Sequence, residues 1–220
     1  MSVQGLVDAQ PTGRAAIALS RGGIGIHLGI IYRGADQIPR VLHLAWHCQL
    51  RCDDGDEMQE WAFVPGVIDE IELQVLAGFC TTVKSLKPRI PYGFRYESSR
   101  FDDTGRFIPG GSDSGLTCST FVMALFELAG IPLLGRGSWE ERAEDKEAHL
   151  TLLAYLKQSN ATEQHIKAVE AEVGCIRFRS EEVAGSSCVL HRPVEFEDGK
   201  IRGRRIKNLY EAWEERAQQA

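Results

Sequence analysis

Alternation of apolar and polar residues predicts β-strands in the first third of the chain. Between residues 24 and 32 every second residue is Ile, Leu or Tyr, while His27 lies between Gly25 and Gly29 on the opposite face. A period of two is typical of a strand. A second strand is predicted over 40–50, with His43 on one of its faces. A turn over 33–37 joins the two strands into a hairpin, and a third strand is predicted over 60–64.

Helical spacing of apolar residues predicts a helix over 67–86 and a compact apolar helix over 118–129. The segment between them, 87–116, is rich in Gly, Ser, Asp and Pro, and loops of that length are usually functional or mobile. The remaining predictions are helices over 139–157, 162–173 and 209–220 and short strands over 175–178 and 188–191. The expected organisation is a weakly ordered lead-in (1–22) and one domain (23–220), in which 140–220 form a mixed helix/strand extension of unknown role.

Composition, charge and the lack of long apolar runs exclude several classes of protein. The 220 residues are 43% hydrophobic and 25% charged, which excludes disordered and collagen-like chains. A formal net charge of -6 gives no reason to expect a nucleic acid partner. No run approaches about 18 apolar residues, so no membrane span is expected. Because the N-terminus lacks the pattern of a secretory signal, the sequence predicts a cytoplasmic protein.

Cys118 is the candidate nucleophile among six cysteines. It falls at the first turn of the predicted apolar helix, where free N–H groups and the helix dipole stabilise a thiolate and an oxyanion. The same helical face carries Phe121, Val122 and Leu125, so position alone favours an inert core cysteine.

His27 and His43 are the candidate base and its orienting partner. If the hairpin turn centres on Ala35, the two histidines lie opposite each other on one face. A nucleophile–base pair needs a third group that fixes the ring, and two such histidines suit these roles. Taken singly, each histidine is better explained as a structural residue.

Three motifs together resemble the NlpC-type papain-like cysteine peptidases. HLGIIYRGADQIPRVLHL resembles the histidine hairpin of that family, TCSTFVMALFELAGIPLLGRGSW its nucleophile helix, and PYGF its tyrosine segment. The hairpin precedes the cysteine here, which resembles the circularly permuted branch related to lecithin:retinol acyltransferase. The resemblance implies an α+β, papain-like core in permuted order, with an antiparallel sheet packed against the nucleophile helix.

The resemblance also implies the roles of individual residues. Cys118 is the nucleophile, His27 the base, His43 the polar third member, and Tyr92 binds or polarises the scissile carbonyl, with Tyr96 as its rival. The chain departs from the family pattern at Thr117, where aspartate is usual, and at Thr120, where glycine is usual. No cofactor or metal is implied.

The expected function is therefore a cysteine hydrolase that cleaves an amide or peptide bond through a thioester, with muramyl-peptide or other peptide amides as substrates. Two alternatives stay open: a thioester acyltransferase or lipid hydrolase, and a non-catalytic binding module that keeps the fold. A zinc site at His47, Cys48, Cys52 and Asp53 is disfavoured, because a strand would point His47 and Cys48 in opposite directions. The acidic segment DDGDE is expected to be a solvated turn, and the basic segment 200–207 a solvated surface.

Overall fold

The protein has an α+β fold built on one antiparallel sheet. The structure, a computed structural model, describes residues 1–5, 11 and 13–219. Six strands of the described chain form the sheet in the order β1-β6-β2-β3-β4-β5. These strands are β1 (Gln4–Gly5), β2 (Ala15–Gly22), β3 (Gly25–Arg33), β4 (Pro39–Trp46), β5 (Gln49–Asp53) and β6 (Ala62–Val64).

Helices pack mainly against one face of this sheet. The helices are α1 (Glu70–Leu86), α2 (Cys118–Leu128), α3 (Asp145–Lys157), α4 (Glu163–Glu170), α5 (Ser180–Ser186) and α6 (Phe196–Ala217). The large core joins side chains of α1 and α2 to Leu28 and Leu42 of the sheet. Phe121 and Phe126 of α2 are fully buried, and burial of each side chain stabilises the fold by roughly 1.5–3 kcal/mol. These buried side chains hold α2 in place on the sheet. No helix within the described ranges is long and apolar enough to cross a membrane.

The N-terminal prediction is wrong for residues 15–22. Instead of a weakly ordered lead-in, they form β2, which pairs with β3 on one side and β6 on the other. Three alanines occupy this strand, and alanine has a low strand propensity that masks the alternation of Ile17 and Leu19. The rest of the predicted lead-in includes residues 6–10 and 12, which lie outside the described residues.

Other boundaries also differ from those predicted. The second predicted strand is two strands, β4 and β5, because Cys48 adopts a left-handed conformation (φ 58°) in a tight turn. The predicted strands over 175–178 and 188–191 are not present; the first is irregular chain and α5 lies between them. The predicted loop over 87–116 contains a small hairpin, β7 (Arg100–Phe101) and β8 (Phe107–Ile108). The C-terminal helix is longer than expected and begins at Phe196.

The strands β3 and β4 diverge at the end that carries the histidines. Their pairing extends only from Arg33–Pro39 to Ile30–Leu42. Beyond Leu42, β4 continues in partnership with β5, whereas β3 remains paired with β2. A cleft opens at this divergence, and its lining includes His27, His43 and Cys118.

Candidate active site

Cys118 is the first residue of α2, as predicted. Thr117 is the N-cap, and its hydroxyl accepts a hydrogen bond from the Thr120 N–H at 3.2 Å. The Thr120 hydroxyl accepts in turn from the Thr117 N–H at 2.8 Å. The two residues that depart from the family pattern thus form a reciprocal cap. The N–H groups of the first helical turn have no acceptor within the helix, and this cap uses only that of Thr120. The N–H of Cys118 can therefore donate to another acceptor, such as an oxyanion.

The Cys118 thiol and the His27 imidazole shift each other's pKa. Burial alone would raise the pKa of Cys118, but the positive charge and hydrogen bond of His27, with the Leu28 N–H, lower it to about 6. Burial alone would lower the pKa of His27, but the Cys118 thiolate raises it above the ordinary value. Near neutral pH this pair favours thiolate and imidazolium, the reactive form of a cysteine nucleophile.

His43 holds the far side of the His27 ring. His27 Nε2 lies 2.8 Å from His43 Nδ1. His43 is buried, and burial together with the charge of His27 lowers its pKa to about 4, so it stays neutral at pH 7. With Nε2 of His27 engaged by His43, Nδ1 is the nitrogen that remains for Cys118.

Asp53 lies next to His43, on the side away from His27. It was not predicted as a site residue. Its Oδ2 lies 3.2 Å from His43 Nε2 and accepts a hydrogen bond from Trp61 Nε1 at 3.1 Å. The two groups are close enough to interact electrostatically, but the contact lacks the alignment of a hydrogen bond. His43 Nε2 has no hydrogen-bond partner among the described residues. A carboxylate there favours a proton on Nε2, which leaves His43 Nδ1 as the acceptor for His27.

The two histidines meet diagonally, so the predicted pairing is wrong: the turn centre differs by one residue and the strand register by two. Pairing of Ile30 with Leu42 centres the hairpin on Asp36, and continuing this register puts His43 opposite Gly29. A Cβ on Gly29 would lie 3.1 Å from the His43 Cβ, so glycine permits the close approach. In β5, Arg51 is opposite His43, and Asp53 is again the diagonal neighbour.

Tyr92 lines the cleft, whereas Tyr96 does not. The Leu116 N–H donates to the Pro91 carbonyl at 2.9 Å, which brings the tyrosine segment beside the start of α2. A Cβ on Gly115 would lie 2.2 Å from that carbonyl oxygen, so this approach requires glycine. Burial and the charge of Cys118 raise the pKa of Tyr92, so its phenol remains a hydrogen-bond donor at neutral pH. Tyr96 instead donates to Glu127 at 2.8 Å in the core.

The C-terminal third of the chain completes the cleft, a role that its sequence did not reveal. Arg177, Phe178 and Ser180 line it, and Ser180 Oγ lies 4.0 Å from Cys118 Sγ and 3.0 Å from Ser119 Oγ. The whole cleft encloses about 510 Å³. Its size is that of a small-molecule or peptide site.

The residues considered for zinc do not converge. His47 Nδ1 accepts from the Tyr92 N–H, Cys48 Sγ lies 3.3 Å from Arg89 Nε, and Cys52 Sγ lies 3.7 Å from the Tyr32 hydroxyl. Within the described part of the chain, no three His, Cys, Asp or Glu side chains are grouped to hold a metal ion. All six cysteines are free.

Comparisons of the chain with protein-family models, with curated proteins and with solved structures find no match. The geometry of the site therefore carries the functional argument.

Replacing Asp53 with asparagine is expected to slow alkylation of Cys118 at pH 5, below the pKa of the thiol, on the order of tenfold. The negative charge of Asp53 helps to raise the pKa of His27, and a one-unit rise in the pKa of the thiol would have this effect. The rate is measured by peptide mass spectrometry with iodoacetamide. Asp54→Asn, at an exposed neighbouring carboxylate, is the control and should stay within twofold of wild type. Equal rates in the two variants would remove Asp53 from the site.

Proposed function

We propose that the protein is a cysteine hydrolase that cleaves an amide or peptide bond through a thioester acyl-enzyme. The observation that carries the proposal is that Cys118, His27, His43 and Asp53 all line one open cleft, in which His43 contacts both His27 and Asp53. These residues supply a nucleophile, a base and groups that orient the base, as in other nucleophile–base sites.

In the proposed mechanism, the Cys118 thiolate attacks the carbonyl carbon while its proton resides on His27. The Cys118 N–H stabilises the oxyanion, and the Tyr92 phenol donates to the carbonyl side of the substrate. As the C–N bond breaks, His27 gives its proton to the leaving amine, which leaves a thioester. His27 then deprotonates a water molecule that attacks the thioester, and the C–S bond breaks to release the acid product and restore the Cys118 thiolate beside protonated His27.

The permuted papain-like core is part of the same proposal. It is supported by the order of the parts, in which the histidine hairpin β3–β4 precedes the nucleophile helix α2, and by the packing of α2 on an antiparallel sheet. The tyrosine segment next to Cys118 supports it further.

The lining of the cleft favours polar substrates over long acyl chains. It includes the charged side chains Arg51, Asp56, Glu57, Glu60 and Arg177. An acyl chain gains affinity from apolar surface, whereas a peptide amide brings polar groups that such side chains can bind. Peptide amides, muramyl peptides among them, are therefore the proposed substrates. Free cysteines fit a reducing compartment, so we place the enzyme in the cytoplasm.

The test is turnover of two substrate panels combined with rapid-quench mass spectrometry of the protein. One panel holds peptide amides, including muramyl peptides, and the other holds long-chain acyl esters. We expect amine release from the first panel and an acyl adduct on the peptide that contains Cys118. Acyl transfer from the second panel alone would overturn the proposal in favour of an acyltransferase. No adduct from either panel would favour a non-catalytic binding module.

A further inference from the structure

A short irregular segment, residues 177–179, and the start of α5 form one wall of the cleft. Arg177 and Ser180 both line it, and Ser180 Oγ lies 4.0 Å from the Cys118 sulfur. The Arg177 carbonyl accepts a hydrogen bond from Arg142 Nη2 at 2.8 Å, which holds the segment in place. The guanidinium of Arg177 is thus carried by a backbone whose position is fixed next to the nucleophile.

The positive charge of Arg177 is held but not fully neutralised. Its Nη1 lies 3.3 Å from Asp145 Oδ1, an oxygen that also accepts from Arg179 Nε at 2.9 Å. Arg142 binds the other oxygen of Asp145 and also Glu182. Three guanidinium groups therefore share two buried carboxylates, since the third acidic neighbour, Glu144, has a side chain 66% exposed to solvent. Of the three, Arg177 has the longest contact with Asp145.

The positive charge of Arg177 acts on the side chains around Tyr92, which lines the same cleft. Burial, and next the charge of Arg177, lower the pKa of His149 to about 4, so that ring is neutral and stacks on Phe94. For Tyr92, the charge of Arg177 opposes burial and the Cys118 thiolate, which raise the pKa of its phenol. The cleft carboxylates Asp56, Glu57 and Glu60 come from a different element, the 3₁₀ turn Gly55–Glu60. A substrate that occupies the Tyr92 side therefore meets a cation.

We propose that Arg177 makes the enzyme prefer amide substrates that carry a carboxylate beside the scissile bond. A guanidinium binds a carboxylate through two parallel hydrogen bonds, which gives both affinity and orientation. This inference rests on the proposed cysteine hydrolase, because it assigns the substrate class of the same site. It gives the C-terminal third of the chain a role in specificity.

Alkylation of Cys118 by a matched pair of reagents tests this proposal without a known substrate. Iodoacetate and iodoacetamide both react when the thiolate displaces iodide and a C–S bond forms, but only iodoacetate carries a carboxylate. The quantity measured is the ratio of the two rate constants at Cys118, determined at pH 7 and low ionic strength. The His27 imidazolium also favours iodoacetate, and its contribution is common to all the variants compared.

We expect Arg177→Gln to lower this ratio about fivefold, the scale of losing one nearby charge in a solvated cleft. Arg177→Lys keeps the charge and should keep most of the preference. Arg179→Gln is the matched control: it also removes a partner of Asp145 and has a similarly exposed side chain, but it does not line the Cys118 cleft. Its ratio should equal that of wild type. The iodoacetamide rate reports whether each variant retains a folded site, and Arg177→Ala replaces Arg177→Gln if the latter does not fold.

The outcomes separate this inference from the proposed function. A fast Cys118 whose ratio is unchanged by loss of the Arg177 charge overturns the inference and leaves the nucleophile in place. Equal losses in Arg177→Gln and Arg179→Gln also overturn it, because the effect would then come from the net charge of the cluster. A Cys118 no faster than the other cysteines with either reagent contradicts the proposed function itself.

Discussion

Replacing Cys118 with alanine is expected to reduce amide hydrolysis on the order of 10⁶-fold. The thiol is the one group in the proposed mechanism that bonds to the substrate carbon, and its pKa of about 6 makes it the thiolate at neutral pH. Turnover of the best substrate in the peptide-amide panel measures the loss.

Cys48→Ala is the matched control for this substitution. Cys48 is also partly exposed and also lies next to a cationic side chain, at 3.3 Å from Arg89 Nε, but in the turn between β4 and β5. It should retain wild-type turnover. Residual activity above about 1% in Cys118→Ala would place the nucleophile elsewhere.

Replacing Asp145 with asparagine is expected to lower the free energy of unfolding by about 3–5 kcal/mol, the effect of breaking a buried ion pair. The Asp145 side chain is 1% exposed and contacts Arg142, Arg177 and Arg179. Asparagine has nearly the same size, so the loss reflects uncompensated guanidinium charges and not a cavity. Urea unfolding followed by circular dichroism measures it.

The neighbouring exposed carboxylate provides the control for Asp145. Glu144→Gln removes a contact with Arg179 at the surface and should leave the free energy of unfolding close to that of wild type. Burial alone would raise the pKa of Asp145, but its arginine partners lower it. This stabilisation is therefore complete above the unfolded pKa of about 3.9 and is lost as the pH falls through the folded pKa. Equal effects of the two substitutions would contradict the buried-pair account.

The sequence was sufficient to predict the strand that carries His27 and the helix that begins at Cys118. Both follow from local periodicity: alternation puts His27 between two glycines on one face, and a polar approach precedes an apolar helix. The register between β3 and β4 was off by two residues because it depends on which residue centres the turn, here Asp36 and not Ala35. The diagonal meeting of His27 and His43 could be seen only in three dimensions.

Asp53, Ser180 and Arg177 were missed for two different reasons. Asp53 begins an acidic run that resembles a solvated turn, yet it is the buried last residue of β5 and shares a strand face with Arg51. Alternation along residues 49–53 is the signal that would have found it. Arg177 lies in an irregular segment with no periodicity, and Ser180 follows that segment. Both join the cleft of Cys118 through long-range packing that local patterns do not encode.

The pH dependence of Cys118 alkylation in wild type and His27→Ala tests the central claim most directly. The thiolate–imidazolium pair predicts that wild-type Cys118 reacts with a midpoint near pH 6, well below the free-thiol value of about 8.5. In His27→Ala the opposing effect of burial remains, so the midpoint should rise to that value or above it. Cys188, a partly exposed cysteine that does not line the cleft, provides the internal reference. A wild-type midpoint at or above pH 8.5, unchanged by loss of His27, would contradict the account.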